Sequence, residues 1–417
     1  MHKNSLILKS FLLFFLGSLS TFSIEPYNFY PTIICFSYSI FFILRTKKLL
    51  ETFILGCAFS FGWFLLGLYW IGNSFLIKSG IFIFLMPIAI IILPFLLSIF
   101  WGGIFFASRY ISNKLGEVHL NFVIFMSTWE YIRGHLLNFP WLMPGDFFSS
   151  NNYSLQAFSY LGSFSMNFVL LICLILPIIA IKYKKKAQLL IIIFIIPIFY
   201  LFAESYLRYK NKIIKFNESH RITLIQPNIK QKLKWKNSLR QSHYDLLKGL
   251  SKQKSNNNEK LKTKLFVWPE TAFVGLFPRD KDILLKISKS FLNKNKQQYL
   301  FTGLVSKSEK NYFNSAVLIS SQGEIKEKYD KNILVPFGEY LPFNYLIPKF
   351  NFLKNKIDFS MGVKNKPVYI DDNYEFLPLI CYEIIFSNLI HQSINSKTSL
   401  LLNITNDAWF GNSIGPS

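Results

Sequence analysis

Three residues stand where short apolar runs end or turn: Glu270 closes KLFVWPE, Cys381 stands with Tyr382 and Glu383 at the end of FLPLICYE, and Lys331 lies in YDKNILVPFGEY. A cysteine at the end of a strand and just before a helix, expected here at 383–392, is held on a rigid support. Helix N-terminal amides nearby favour a thiolate or a developing oxyanion there, so the position suits a nucleophile. A carboxylate at the end of another strand can accept the thiol proton, and Pro269 stiffens the turn that presents Glu270. A lysine can hold positive charge where a tetrahedral intermediate develops negative charge. Each residue alone would be ordinary, since free cysteine is commonly a small buried hydrophobe and lysines are many in this chain. Their combination is what carries weight.

The elements that must position these groups begin near residue 220. From Arg221 onward the chain reads as short β-rich runs, RITLIQ, KLFVWPE, YLFTGLV, FNSAVLIS, FLPLICYE and LLNITND, separated by Lys- and Asn-rich segments. That alternation predicts an α/β domain over 220–417. The first half differs. With 417 residues, 51% of them hydrophobic and 45 of them phenylalanine, the chain is too apolar to be soluble throughout, and the excess lies in the first half. A spanning helix needs about 20 mostly apolar residues. Runs near 5–22, 27–44, 52–76, 81–107, 118–136, 155–181 and 187–203 qualify, which predicts a membrane domain over 1–210 with about seven transmembrane helices. The first run reads as a retained anchor, because no A-x-A site follows it and further spans come directly after.

Basic residues fall after the second span (Arg45, Lys47, Lys48), the fourth (Arg109, Lys114) and the sixth (Lys182, Lys184, Lys185, Lys186), whereas the alternate loops carry little beyond Lys78 and Arg133. By the positive-inside rule those loops and the N-terminus are cytoplasmic, and an odd number of spans puts the polar half on the opposite side. The formal net charge of +23 does not imply nucleic acid, since no nucleic-acid motif is present and the lysines are scattered among asparagines and isoleucines. Attraction to anionic lipid headgroups is its functional reading. Cys35, Cys57 and Cys173 lie inside apolar runs with no C-x-x-C pair, so neither a zinc site nor a disulfide framework is expected. Glu130 and Arg133 in TWEYIRG share a helical face and can pair, either as a structural ion pair or as a headgroup-binding element.

The motifs WPE at 268–270, Y-x-K-x-x-L-V-P-F-G-E at 329–339 and C-Y-E at 381–383 resemble the three signatures of the nitrilase superfamily, whose catalytic set is Glu, Lys and Cys. LIQPNIKQKLKW at 224–235, VPFGEYLP at 335–342 and NITNDAWFG at 403–411 are similar to one branch, the apolipoprotein N-acyltransferases. GWFLLGLYWI at 62–71 and the WEYIRG…FPW pattern at 129–141 extend the resemblance into the membrane half. The resemblance implies a multi-pass α-helical membrane domain followed by a nitrilase-like α-β-β-α sandwich. It implies that Glu270 is the general base, Lys331 the oxyanion-stabilising cation and Cys381 the nucleophile. Glu339 matches a further acidic position that orients Lys331 or assists proton transfer. Trp235, Tyr382 and Glu383 match other positions linked to function, with aromatic packing as the alternative for Trp235 and Tyr382, and the Tyr382 amide is a natural oxyanion donor. Because relatives continue past NDAWFGNSIGPS with further strands and a last spanning helix, the resemblance also implies a catalytic domain truncated at its C-terminus.

The activity implied is transfer of a fatty acyl group from a glycerophospholipid, through a Cys381 thioester, to the N-terminal amine of a diacylglyceryl-cysteine apolipoprotein, with no metal or dissociable cofactor. The implied partners are the phospholipid donor, the diacylated acceptor and membrane lipids, with no nucleic acid. The implied location is the bacterial inner membrane with the catalytic domain on the periplasmic side. Two other readings are a membrane-tethered amidase acting on a soluble substrate with water as acceptor, and a non-catalytic transporter or scaffold. The segment PFGEYLPFNYLIPKFNFL at 336–353 is too apolar for a solvated loop, and its three prolines argue against one helix. It is expected at the headgroup boundary, gating access to Cys381, with packing into the sandwich core as the alternative.

Overall fold

The structure, a computed structural model, describes all residues except 1, 79–80, 116, 214–218, 253–262, 337, 341–357, 364–365, 372–373, 412 and 416–417. Most of the expected lipid gate, including Phe343 and Leu346, lies outside the described residues. The chain separates into two compact units, Met1–Ile214 with Phe410–Ser417, and Lys215–Trp409.

The first unit is helical: α1 (His2–Ser20), α2 (Ile33–Arg45), α3 (Leu49–Leu68), α4 (Asn73–Lys78), α5 (Ile81–Leu115), α6 (Val118–Leu136), α7 (Asn152–Leu155) and α8 (Phe158–Lys210). Among the described residues, five stretches are long and apolar enough to cross a membrane: Asn4–Ser23, Leu49–Leu76, Met86–Ser112, Phe158–Lys182 and Ile192–Lys210. The last two, expected as separate spans at 155–181 and 187–203, belong to the single helix α8. Two of the seven expected spans fall outside this set. The 13 residues of α2 rise only about 20 Å, and α6 carries Glu130 and Arg133 among its apolar residues.

Lipid tails are as apolar as leucine, so helices in a bilayer associate mainly by close packing. Glycine supplies that closeness between α1 and α3. A Cβ on Gly17 would meet the Phe59 carbonyl oxygen at 2.0 Å, and one on Gly62 would meet the Phe14 carbonyl oxygen at 2.0 Å. Inside the bundle, Phe36, Phe59, Trp63, Phe64 and Trp101 form a fully buried aromatic cluster. The TWEYIRG motif lies against it. Glu130 and Arg133 are both fully buried. Arg133 Nε donates to Glu130 Oε2 at 3.1 Å and its Nη1 to the Trp141 carbonyl at 2.8 Å, while Trp101 Nε1 donates to Glu130 Oε1 at 2.9 Å. A guanidinium closed off in this way has no face to offer a headgroup, so the pair is structural. Removing one partner of a buried pair strands the other charge. Arg133→Leu is therefore expected to cost roughly 3–5 kcal/mol of stability, with part regained when Glu130→Gln is added. Thermal unfolding of the detergent-solubilised protein measures both, and an unchanged midpoint for Arg133→Leu would contradict the structural role.

The second unit contains β1 (His220–Leu224), α9 (Gln231–Lys234), α10 (Arg240–Lys252), β2 (Thr263–Val267), β3 (Phe273–Phe277), α11 (Lys281–Lys289), β4 (Gln297–Ser308), β5 (Asn311–Ser320), β6 (Ile325–Asp330), β7 (Val368–Asp371), β8 (Tyr374–Ile380), α12 (Ser387–Ser393) and β9 (Thr398–Ile404). Among the described residues, six strands form one mixed sheet in the order β1-β2-β4-β5-β6, with β3 paired to β4. The first three of that order are parallel, and β4-β5-β6 are antiparallel. A second sheet has the order β7-β8-β9, with β8 and β9 parallel.

Strand side chains alternate between faces, and the strands use both. Leu265 and Val267 of β2 join Ala316, Leu318, Phe376, Ile380 and Ile404 in the core between the sheets. Their neighbours Phe266, Val317 and Ile319 pack with Tyr244, Leu247, Leu284 and Ile287 of α10 and α11 on the outer face. The expected α/β sandwich thus has a helix layer, a six-stranded sheet and a three-stranded sheet, with α12 beyond the elbow that follows β8. The ends of β2, β6 and β8 bring Glu270, Lys331 and Cys381 into one cluster.

Candidate active site

Glu270 sits on the turn that leaves β2. Trp268 anchors that turn from behind: it is fully buried, stacks on Phe291 with ring centroids 5.6 Å apart, and donates from Nε1 to Ser251 Oγ at 3.0 Å. The Trp268 amide donates to the Phe301 carbonyl at 2.9 Å, and the Pro269 carbonyl accepts from Ala272 and Gly303 amides. A Cβ on Gly303 would stand 2.6 Å from Glu270 Cα and 2.5 Å from Thr271 N, so only glycine lets the turn lie this close to β4. Thr271 adopts φ 48°, a left-handed conformation that a β-branched residue rarely takes.

Lys331, at the exit of β6, is almost wholly buried, and its Nζ lies 2.9 Å from Glu339 Oε2. Glu339 is fixed in turn by the Val335 amide, which donates to Oε2 at 2.8 Å. Asn314 on β5 joins the two carboxylates: its Nδ2 donates to Glu270 Oε1 and to Glu339 Oε1, both at 2.7 Å. Two carboxylate oxygens facing one group settle which way the amide points, since its oxygen would be repelled. The Asn314 carbonyl also accepts from the Lys331 amide at 2.9 Å, so β5 sets the position of all three. Burial by itself would lower the Lys331 pKa, but Glu339 and Glu270 together outweigh it and hold the ammonium well above the ordinary lysine range.

Cys381 begins a 3₁₀ turn, Cys381–Ile385, directly after β8 and takes φ 55°. A non-glycine residue held in the left-handed region costs on the order of 1–3 kcal/mol and is retained only where its surroundings over-determine it. Here they do. Asn403 Nδ2 donates to the Cys381 carbonyl at 3.2 Å, and Glu383 locks the elbow from inside. Burial, with Glu270 adding to it, pushes the Cys381 thiol up to about 12, against a smaller pull downward from Lys331 and the Thr405 hydroxyl. The resting group is therefore a thiol, not the thiolate that helix amides alone would favour. A thiol so poised needs a base that removes its proton as it attacks, and Glu270 and Lys331 supply a carboxylate and a cation in the same buried cluster.

The helix expected at 383–392 is instead the 3₁₀ turn followed by the seven-residue α12. Glu383, fully buried, accepts from the Tyr329 hydroxyl at 2.7 Å and from the Asn332, Ile333 and Ile380 amides at 2.6, 3.2 and 2.8 Å. It ties the Lys331 loop to the Cys381 elbow. Burial raises its pKa, and those donors oppose the rise. Tyr382 is buried and packs edge-on against Phe386, with centroids 5.1 Å apart. Trp235 follows α9 and is half exposed. Sequence reading singled out neither Asn314 nor Lys234, whose Nζ reaches the Glu270 turn. The signal for Asn314 was an amide interrupting FNSAVLIS, a run otherwise suited to a buried strand.

Two sequence families match the two halves: the apolipoprotein N-acyltransferase N-terminal domain over residues 16–176, and carbon-nitrogen hydrolase over residues 221–417. An apolipoprotein N-acyltransferase of Wigglesworthia glossinidia brevipalpis is 32% identical, over 98% of this chain and 82% of its own length. One from Rhodopseudomonas palustris is 29% identical, over 96% of this chain and 78% of its own length. With both halves matched in order and identity sustained along nearly the whole chain, the protein belongs to the apolipoprotein N-acyltransferase family, acyltransferases with a carbon-nitrogen hydrolase domain.

Proposed function

We propose that Cys381 is the acyl-carrying nucleophile, Glu270 its general base and Lys331 the cation that stabilises the oxyanion, in transfer of a fatty acyl group from a glycerophospholipid to a diacylated apolipoprotein. The observation that carries the assignment is the buried Glu270–Asn314–Glu339–Lys331 chain beside a thiol held on a left-handed elbow. Glu270 takes the thiol proton as sulfur attacks the ester carbonyl. The Lys331 ammonium and the Tyr382 amide face the developing oxyanion. The ester C–O bond then breaks, and the lysophospholipid leaves carrying the proton that Glu270 returns. In the second half the neutral α-amine of the acceptor attacks the thioester, the C–S bond breaks and the thiol is restored. An α-amine with a pKa of about 7.7–8 keeps an appreciable neutral fraction at pH 7. Glu339 orients Lys331, Glu383 positions the elbow, and Tyr382 serves through its backbone. Trp235, half exposed at the end of α9, is the proposed aromatic contact for substrate.

Residues 1–210 form the membrane-embedded part in this reading, and 220–417 the catalytic part on the periplasmic face of the inner membrane. Five apolar stretches of spanning length support the first statement, and the distribution of basic residues supports the second. Intact-protein mass spectrometry of the protein mixed with phospholipid tests the function. One added acyl chain should appear and should discharge onto a synthetic diacylated lipopeptide. Discharge to water at the same rate without lipopeptide would favour the amidase reading, and no acyl adduct at all would favour a non-catalytic role.

Lys331→Arg keeps the charge but replaces a compact ammonium with a planar fork in a closed site. Acyl transfer is expected to fall about 10²–10³-fold, the usual loss when an oxyanion donor is removed. Near-native turnover by this variant in a lipopeptide acylation assay would place Lys331 outside the reacting centre.

A further inference from the structure

We propose that Lys234 is a positioning residue for the general base, and that α9 works as a strut joining the Glu270 turn to the strand end beside Cys381. The inference rests on the reading of Glu270 and Cys381 given above and adds to it a residue with no role in that mechanism.

Lys234 is buried, and its Nζ donates to the Glu270 carbonyl at 3.0 Å and to Thr271 Oγ1 at 2.7 Å. Taking an ammonium out of water is costly unless its protons find acceptors. Here those two acceptors are a carbonyl and a hydroxyl on one strained turn. Thr271, with φ 48°, is held in a conformation that its branched side chain resists. The lysine bonds both residues of that turn. Loss of those bonds would let Thr271 relax and carry the Glu270 carboxylate with it. Catalytic geometry tolerates little of this, since a misplacement of about 1 Å can cost about 10²-fold.

The other end of α9 is tied as well. Asn406 Nδ2 donates to Gln231 Oε1 at 2.8 Å, and Asn406 follows Thr405, whose hydroxyl acts on the Cys381 thiol. One helical turn therefore links base and nucleophile and carries Trp235 at its C-terminal end. The ionisable groups facing Lys234 are Glu270 from the turn after β2 and His243 from α10. Burial lowers the Lys234 pKa to about 8, with Glu270 opposing the fall. Burial lowers His243 too, and the Lys234 charge adds to that effect. Lys234 is thus an ammonium below about pH 8 and loses its proton above it.

The test follows thioester formation alone, by intact mass, in the full chain reconstituted in phosphatidylethanolamine vesicles. Lys234→Met should slow acylation of Cys381 about 10–100-fold, the usual weight of hydrogen bonds from a charged donor, while the KM for phospholipid stays within about twofold. The parent rate should fall as pH rises through about 8, and Lys234→Met should lack that fall. A merely structural lysine would lower the unfolding temperature without reshaping the pH profile, and that result would overturn the proposal. Thr271→Val retains the lysine and removes one acceptor, so it decides the case if Lys234→Met fails to fold. It should acylate about tenfold more slowly, and an unchanged rate would count against the strut. An acyl group found on a residue other than Cys381 in the parent would overturn the underlying site assignment. Normal acylation of Cys381 by both variants would overturn only the role of Lys234.

Discussion

Cys381→Ala is expected to leave expression and membrane insertion intact and to abolish acyl capture, with transfer to a diacylated lipopeptide lowered on the order of 10⁴-fold or more. The physical basis is that the proposed role is covalent, so no neighbour can substitute for the sulfur. The side chain lost is small, and the elbow is held by Asn403 to the backbone and by Glu383 from within, neither of which uses the thiol. Cys381→Ser preserves the shape and is also expected to be nearly inactive, because a hydroxyl is far harder to deprotonate than a thiol. A labelled acyl-enzyme in the alanine variant would remove Cys381 from the mechanism.

Glu270→Gln is the second large effect. With the thiol pushed up to about 12 by burial and Glu270, almost none of it is thiolate at pH 7. A reaction that waited for free thiolate would be correspondingly slow, so proton removal by Glu270 should be worth roughly 10²–10⁴-fold in thioester formation. The substitution also removes a neighbouring negative charge that helps raise the thiol, so the sulfur should titrate lower in the variant than in the parent. Residual acylation should then climb with pH, as hydroxide takes over the proton, whereas the parent rate should show no such climb near neutrality. Stopped-flow measurement of the acylation phase against pH separates these outcomes, and a phase unaltered by Glu270→Gln would refute the base.

The glutamine keeps a carbonyl oxygen that can still accept from Asn314 Nδ2, so the Asn314–Glu339–Lys331 part of the network should survive in that variant. Loss of rate without loss of fold is accordingly the signature to look for. A large drop in unfolding temperature would indicate that the carboxylate mainly holds the cluster together.

Much of this protein was legible in its residue order. Apolar length alone marks the membrane half, because only about 20 apolar residues in a helix can cross the hydrocarbon layer with every backbone group satisfied. Continuous apolar runs within KLFVWPE and FNSAVLIS mark the sandwich strands, because a strand with both faces covered must be apolar on each. The motifs WPE, Y-x-K-x-x-L-V-P-F-G-E and C-Y-E located Glu270, Lys331 and Cys381 at the ends of β2, β6 and β8. Those are local properties, set by neighbours along the chain. What the tertiary structure decided is everything that depends on groups meeting from distant positions. Asn314 bridges two carboxylates that stand 44 and 25 residues away from it, and Glu383 reaches the Tyr329 hydroxyl 54 residues distant. The buried Glu130–Arg133 pair became structural only once Trp101 and the Trp141 carbonyl closed around it. The protonation state of Cys381 changed in the same way: a position that in sequence favours a thiolate becomes a protonated thiol, because burial and a nearby carboxylate outweigh one lysine. Charge energetics depend on distance and desolvation in three dimensions, and neither is a property of residue order.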